Sequence, residues 1–357
     1  MISYRLVPLQ QLPKANLDAW QRTANVDPRY SSPYFQPAFS RLVAGVRDDA
    51  YVILAEHEKE LCGLLPIQMP KAGHAQPIGG KLNDLHGMLH LRPFRMDHQE
   101  LLRQTRIKTF SFHSAMQSED LVEQCQFETV ISPCINLQTG FESYFKRVTR
   151  KSKTIRRQGQ KTRKLISEVG PLRFEFHQIG QEWLERTLHH KRLRYRKTKT
   201  FDLFSLPWPT QLLSRIVETQ LPSFAGVHSV LFAGDQMVAS HVGIRSQNVL
   251  HYWFPTYDSR FKKYSPGIQL ILEMCRCSRT HGIEKLDLGY GRQGFKYKLA
   301  NEHYETSYGQ FAGSRLQNSL SRRLHFAKKW MKESSLQPFA KNIIRTIHPR
   351  FGHRVFR

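Results

Sequence analysis

The chain has 357 residues, 40% of them apolar and including 22 Phe, 13 Tyr and 5 Trp, which excludes a disordered polymer and leaves enough material for two domains with real cores. Its 54 Lys and Arg against 29 Asp and Glu give a net charge of +25, a field that favours polyanions: nucleic acid, an anionic membrane face or phosphate-bearing ligands. Five cysteines, Cys62, Cys125, Cys134, Cys275 and Cys277, fall at no metal-ligand spacing, so no metal is expected and the thiols read as those of a reduced, cytoplasmic protein. The opening MISYRLVPLQQLPKANLDAW lacks the basic and apolar regions of a signal peptide, and no apolar run is long enough to span a bilayer. Any membrane contact is therefore expected to be peripheral, at the inner face.

In chain order, 16–24 and 37–46 carry helical patterns. Residues 51–56 read as a strand that turns through His57-Glu58-Lys59-Glu60 into a second, 61–68. Gly79-Gly80 opens another apolar stretch ending at Leu85-His86-Gly87-Met88-Leu89. From 146 to 164, ten of nineteen residues are Lys or Arg, with apolar residues too sparse to bury much of it, so a long, mostly solvated helix is expected. Gly170-Pro171 ends it, 172–177 alternates like a strand, and 183–195 is a second basic helix. Three antiparallel strands follow, 227–233, 237–245 and 249–254, joined at Gly234-Asp235 and Ser246-Gln247-Asn248. A helix opened by Ser265-Pro266-Gly267 and closed by Gly282 then returns as a strand into Gly289-Tyr290-Gly291, and 304–311 is a last strand. The tail from Arg315 is basic and helical. Leu316, Leu320, Leu324, Ala327, Trp330 and Met331 form one stripe on it, expected to dock on its own domain, with contact to an anionic membrane as an addition.

The Ser-Pro-Gly start carries the most chemistry. Serine suits an N-cap, proline the first helical position, and glycine leaves the backbone unshielded. Free N–H groups and a partial positive charge at that end suit phosphate oxygens, and Arg260, Lys262 and Lys263 stand just before it. A plain crossover with solvated charges has the same pattern. Pattern alone leaves both readings open.

Wider context comes from the strand His251-Tyr252-Trp253-Phe254, the helix opened by Ser-Pro-Gly, the run Lys285-Leu286-Asp287-Leu288-Gly289 and "FKYKLAN" from Phe295. With "SPYFQPAF" at Ser32, "GGKLNDLHGML" at Gly79, "INLQTGFESYFKRV" at Ile135 and "KRLRYRKTKTFDLF" at Lys191, this order resembles the GNAT-type acyltransferases of the CelD/BcsL-like group. That group is associated with bacterial cellulose and exopolysaccharide production and is distantly similar to FemAB-type transferases. The resemblance covers most of 20–312. It implies an α/β (α+β) fold of tandem GNAT-like domains, each a mixed, mainly antiparallel sheet flanked by helices. These are expected at 1–137 and 138–314, with a basic helical tail at 315–357. It also implies an acyl-coenzyme A co-substrate, its pyrophosphate at Ser265, Pro266 and Gly267 with Arg260 and Lys263 nearby, and Trp253 and Phe254 beside the acyl arm.

Acyl transfer from a thioester needs a base, oxyanion donors and an acid for the departing thiolate. His241 and His251 are the candidate bases, each equally suited to a core hydrogen bond. Tyr290, with Tyr264 and Tyr297, is a candidate acid. Lys296 and Lys298, read as strand neighbours pointing one way, would clamp an acceptor phosphate or sugar nucleotide. Asp84 stands where the family has an acidic residue, which suits an acceptor role or a turn. Where relatives read Gly-Asp-Glu, this chain has Gly291-Arg292-Gln293, which points to a different acceptor or to lost activity. The reading is a cytoplasmic N- or O-acyltransferase acting on an anionic, nucleotide-linked or lipid-linked saccharide precursor. Its rivals are a FemAB-like transferase using aminoacyl-tRNA, which the charge would suit, and a non-catalytic scaffold of polysaccharide assembly.

Overall fold

The computed structural model describes residues 1–117, 125–291 and 294–333. In chain order its elements are β1 (Ile2–Pro8), α1 (Lys14–Val26), α2 (Pro37–Ala44), β2 (Ala50–His57), β3 (Glu60–Lys71), β4 (His74–Pro77), β5 (Leu89–His90), α3 (His98–Thr105), β6 (Thr109–Met116) and β7 (Gln126–Asn136). There follow α4 (Phe141–Lys151), α5 (Lys153–Arg156), α6 (Gln158–Val169), β8 (Leu172–Glu175), α7 (Gln181–Thr198), α8 (Pro207–Glu218), β9 (Gln220–Leu221), β10 (Phe224–Ala233), β11 (Gln236–Arg245) and β12 (Val249–Tyr257). The last are α9 (Pro266–Cys277), β13 (Lys285–Asp287), α10 (Gly294–Leu299), β14 (Glu302–Ala312) and α11 (Arg315–Glu333). The architecture is the mixed α/β one expected. Two compact units form: Met1–Val26 with Val43–Val130 and the chain from Glu305 onward, and Asp27–Leu42 with Ile131–Tyr304.

In the first unit the strand order is β1-β2-β3-β4-β6-β14, with β5 on β3. Only β4 and β6 run parallel; the other pairs are antiparallel. Alternating apolar residues put Ile53, Leu65, Ile67, Phe110, Phe112 and Phe311 into one buried cluster, which is what the period of two along a half-buried strand produces.

In the second unit the order is β7-β13-β12-β11-β10-β8, and again one neighbour pair, β12 with β13, is parallel. Every residue of β10 is buried, because both sheet faces are covered. Val227 and Leu231 join the α9 residues Leu270, Ile271 and Leu272 in one cluster, while Val230 and Phe232 pack with Trp183 of α7. At Gly226 a methyl group would sit 2.0 Å from the carbonyl oxygen of Ile216 in α8, so that helix end rests directly on the β10 backbone.

The basic stretch differs from the single solvated helix expected. Ser152 breaks it, its side chain accepting from the Ile155 N–H to start a new turn, and α4, α5 and α6 result. Tyr144, Val148, Ile155 and Leu165 are all buried in the α9 cluster. A few well-spaced apolar side chains suffice when three short helices each need to bury only one stripe. The tail also departs from expectation: α11 meets the first unit through polar residues and turns its leucines outward.

Candidate functional site

The geometry of the second unit centres on a fork. Strands β12 and β13 pair in parallel over three rungs, Val249 with Lys285, Leu250 with Leu286 and His251 with Asp287. Beyond that rung β13 ends, while β12 runs on to Tyr257 beside β11 alone. The β11 pairing slips between Val242 and Ile244, giving β12 one extra residue, and such a bulge bends a strand and increases its twist. Past the fork the β12 backbone leads through Asp258 to the first turn of α9.

His251 and Asp287 stand at the vertex. The Nδ1 of His251 lies 3.1 Å from Asp287 Oδ2, and both side chains are buried. The carboxylate also accepts from the Tyr304 hydroxyl at 2.7 Å and the Gly289 N–H at 2.8 Å. Burial alone would raise this carboxyl; His251 and the hydrogen bonds reverse that and leave it below its ordinary value. The His251 ring also meets Tyr34 edge-on, 5.0 Å between centroids.

His241 is placed differently. Its ring is wholly buried and stacks on Tyr252, 4.5 Å apart and 9° from parallel. A methyl on Gly243 would come within 2.4 Å of its Nε2, so the glycine makes room for the ring. Burial, then His228, drives its pKa well below the usual value. It is a neutral packing group, sealed from any solute.

Each arm of the fork carries an ammonium group on main-chain carbonyls. On the β12 side Lys191, from α7, donates to Pro255 O at 3.0 Å and lies over the Phe254 ring. On the β13 side Lys296 donates to Gly289 O at 3.1 Å and Tyr290 O at 2.9 Å. Burial, reinforced by the positive charges of Arg194 and Lys296, lowers the Lys191 pKa to about 7. Sequence patterning gave no hint of Lys191, which is one of many cations on a basic helix.

Lys296 and Lys298 were expected to share a strand face. They lie instead on α10, where Lys296 is buried and Lys298 exposed, because Phe295 and Leu299 at helical spacing turn one side into the core. Positions two apart on a helix diverge, so the paired clamp does not form. Arg292 and Gln293 lie outside the described residues. Tyr290 is 39% exposed, and its carbonyl accepts from Lys296. Tyr264 donates its hydroxyl to Glu168.

At the start of α9, Ser265 takes a left-handed backbone conformation, φ 55° and ψ 52°, and its side chain makes no cap bond. Its Oγ instead accepts from Lys161 Nζ at 2.7 Å, bringing a cation of α6 to the helix N-terminus, where Gln158 also holds the Tyr264 carbonyl. A methyl on Gly267 would meet only Tyr257 Cδ1, at 3.8 Å, so the backbone there faces open space. Arg260 and Lys263 are occupied: Arg260 on Asp258 at 2.6 and 2.9 Å, Lys263 on Glu168 at 2.7 Å. Trp253, partly buried, packs against Tyr34, Phe39 and Phe254, and Phe254 is buried against Phe204. Asp84 belongs to the first unit, close enough to the partly buried His113 to oppose the effect of burial on that imidazole.

Residues 149–298 match the family model described as an acetyltransferase (GNAT) domain, a span that contains the fork, Lys161, Lys191, Lys296 and the α9 turn. That stretch is similar to a GNAT-type acetyltransferase domain. Among solved structures, FemX is similar over 86% of this chain and 98% of that one, at 8% identity and a TM-score of 0.53. The C-terminal domain (DUF2156) of a protein provisionally described as a lysylphosphatidylglycerol synthetase, from Agrobacterium fabrum, is similar over 89% and 96%, at 11% identity and a TM-score of 0.52. At these identities the likeness is one of fold. No curated protein matches the chain.

Proposed function

We propose that this protein transfers an acyl group from a coenzyme A thioester to an amine or hydroxyl of an anionic envelope or exopolysaccharide precursor. The observation that carries the reading is the fork: parallel strands that part after the His251–Asp287 rung, with the longer one leading to an uncovered helix start. In that first turn the Ile268 and Gln269 N–H groups close onto Ser265 O and Pro266 has none, leaving the Gly267 N–H and the positive helix end uncovered. With Lys161 beside them they suit a diphosphate, and the β12 edge past the vertex has backbone groups for an extended amide chain. Lys191 supplies the base, a partly buried amine that loses its proton near neutrality, as efficient general-base catalysis requires. Asp287 holds His251 and the vertex in place, a positioning role. Lys296, its ammonium already held by carbonyls, attracts the acceptor's anionic group or the oxyanion. The resemblance to CelD/BcsL-like chains supports the saccharide acceptor.

Gly267→Asp tests the site with little risk to the fold. The position has ordinary backbone angles and room for a side chain, and a carboxylate in the first turn favours the helix dipole. By calorimetry the wild type is expected to bind acetyl-CoA or a longer acyl-CoA, and the variant to lose at least about tenfold in affinity, the equivalent of about 1.4 kcal/mol. Equal affinities, or wild-type binding of tRNA in place of both thioesters, would sink the proposal.

A further inference from the structure

Helix α11 is mounted with its polar side inward. Asn318 is 9% exposed, Ser321 is reached by Gln310 Nε2 at 3.3 Å, and His325 meets Glu128 Oε2 at 3.1 Å and stacks on Tyr308 at 4.4 Å. The opposite side carries Leu316, 83% exposed, Leu320, 60%, Leu324, 52%, and Trp330, 63%. Spacings of four residues from Leu316 to Leu324, and of fourteen from Leu316 to Trp330, keep these on one side of the helix, about a third of its circumference. A folded chain ordinarily does the reverse, and a contiguous apolar face left in solvent marks an interaction surface.

Charge identifies the occupant. From residue 315 to 357 the sequence holds eleven Lys and Arg and one acidic residue, Glu333, and Arg322 and Arg323 are exposed on α11 itself. A second copy would bring +25 against +25, and a nucleic-acid backbone has no apolar face to take up four large hydrophobic side chains. An anionic bilayer surface satisfies both features, since leucine and tryptophan enter the headgroup boundary while cations meet the lipid phosphates. We infer that α11 is an interfacial anchor that lays its outward leucine and tryptophan stripe on an anionic membrane. This inference is independent of the acyl-transfer reading.

The full chain is tested by co-sedimentation with vesicles of phosphatidylglycerol mixed into phosphatidylcholine, and with phosphatidylcholine alone. The protein is expected to pellet with the anionic vesicles and stay in solution with the neutral ones. Leu320→Glu with Leu324→Glu is expected to cut the partition at least about tenfold with the thermal midpoint unchanged. Trp330→Leu should remove quenching of tryptophan emission by brominated lipid. Three results would overturn the inference: pelleting unaltered by the double substitution, self-association by ultracentrifugation that the substitution abolishes, or a large drop in thermal midpoint, which would show that the stripe is covered by the protein's own chain.

Discussion

At the scale of single residues, function and packing use the same side-chain types, and only surroundings separate them. His241 and His251 are indistinguishable in sequence, both on strands among apolar neighbours. One is stacked flat on Tyr252, and the other faces a carboxylate 155 residues from Ser132, whose hydroxyl lies 3.5 Å from that same carboxylate. Lys191 was illegible because a depressed lysine depends on what α7 lies against. Its titration gives a prediction whose sign can be worked out. With the folded value near 7 and the ordinary value 10.5, the unfolded chain keeps a proton that the folded chain has lost, so stability rises with pH above about 7. The buried thiols act oppositely: Cys134 and Cys125, raised from 9.0 to about 12 and about 11, subtract stability once unfolded thiols ionise. Histidines lowered by burial, His86, His228 and His241 among them, add a rise of the same sign until unfolded imidazoles lose their protons, so the window in which Lys191 stands out is about pH 7.5 to 8.5. There Lys191→Met should flatten a rise of at most about 1.4 kcal/mol per pH unit in urea unfolding, and kcat should lose its increase through pH 7. A variant with the wild-type slope and pH profile would remove Lys191 from the proposed chemistry.

At the scale of elements, the strands and most helices were legible because burial on one face imposes a period that local sequence must obey. The hairpins from β10 to β12 and the parallel return of β13 beside β12 follow their expected order. What failed was local competition between periods. "FKYKL" alternates like a strand, yet Phe295 and Leu299 also satisfy a helix turn, and the tertiary core decided. Ser265 was expected to cap α9, but its left-handed backbone turns the hydroxyl to Lys161, 104 residues away in sequence. Such partners leave no trace in spacing. The glycines divide in the same way. Gly267 has space around it, whereas the missing Cβ of Gly226 would lie 2.0 Å from the Ile216 carbonyl oxygen and 2.8 Å from Val217 Cα. Backbone atoms on both sides cannot move as a flexible side chain would. Gly226→Ala is therefore expected to push α8 off β10 and cost about 3 kcal/mol, at the upper end of overpacking effects. Calorimetric unfolding of the two glycine variants side by side checks this. Gly226→Ala should lower the midpoint while Gly267→Asp leaves it near wild type, and similar midpoints would contradict the packing described.

At the scale of the whole molecule, the excess of 25 positive charges acts on stability and on association with opposite signs. The cations that have partners mostly face solvent: Arg260 with Asp258, Lys263 with Glu168 and Arg276 with Glu273 have cation side chains 54–71% exposed, and exposed pairs of this kind contribute little to stability. They do not offset repulsion among the remaining lysines and arginines, which acts throughout the folded state and weakens as the chain expands. Salt shortens the reach of that repulsion to about 10 Å at 0.1 M, so adding it should stabilise the folded protein. The same screening weakens attraction to phosphate-bearing surfaces. Raising sodium chloride from about 20 mM to about 200 mM should therefore raise the thermal midpoint, by up to about 2 °C for each kcal/mol of repulsion relieved in a chain of this size. Over the same range, adherence to phosphatidylglycerol vesicles should fall. Thermal scans and vesicle sedimentation on one salt series measure both. If the midpoint fell along with adherence, the surface ion pairs would outweigh net repulsion, and the positive field could no longer be treated as a cost in stability that a polyanionic partner relieves.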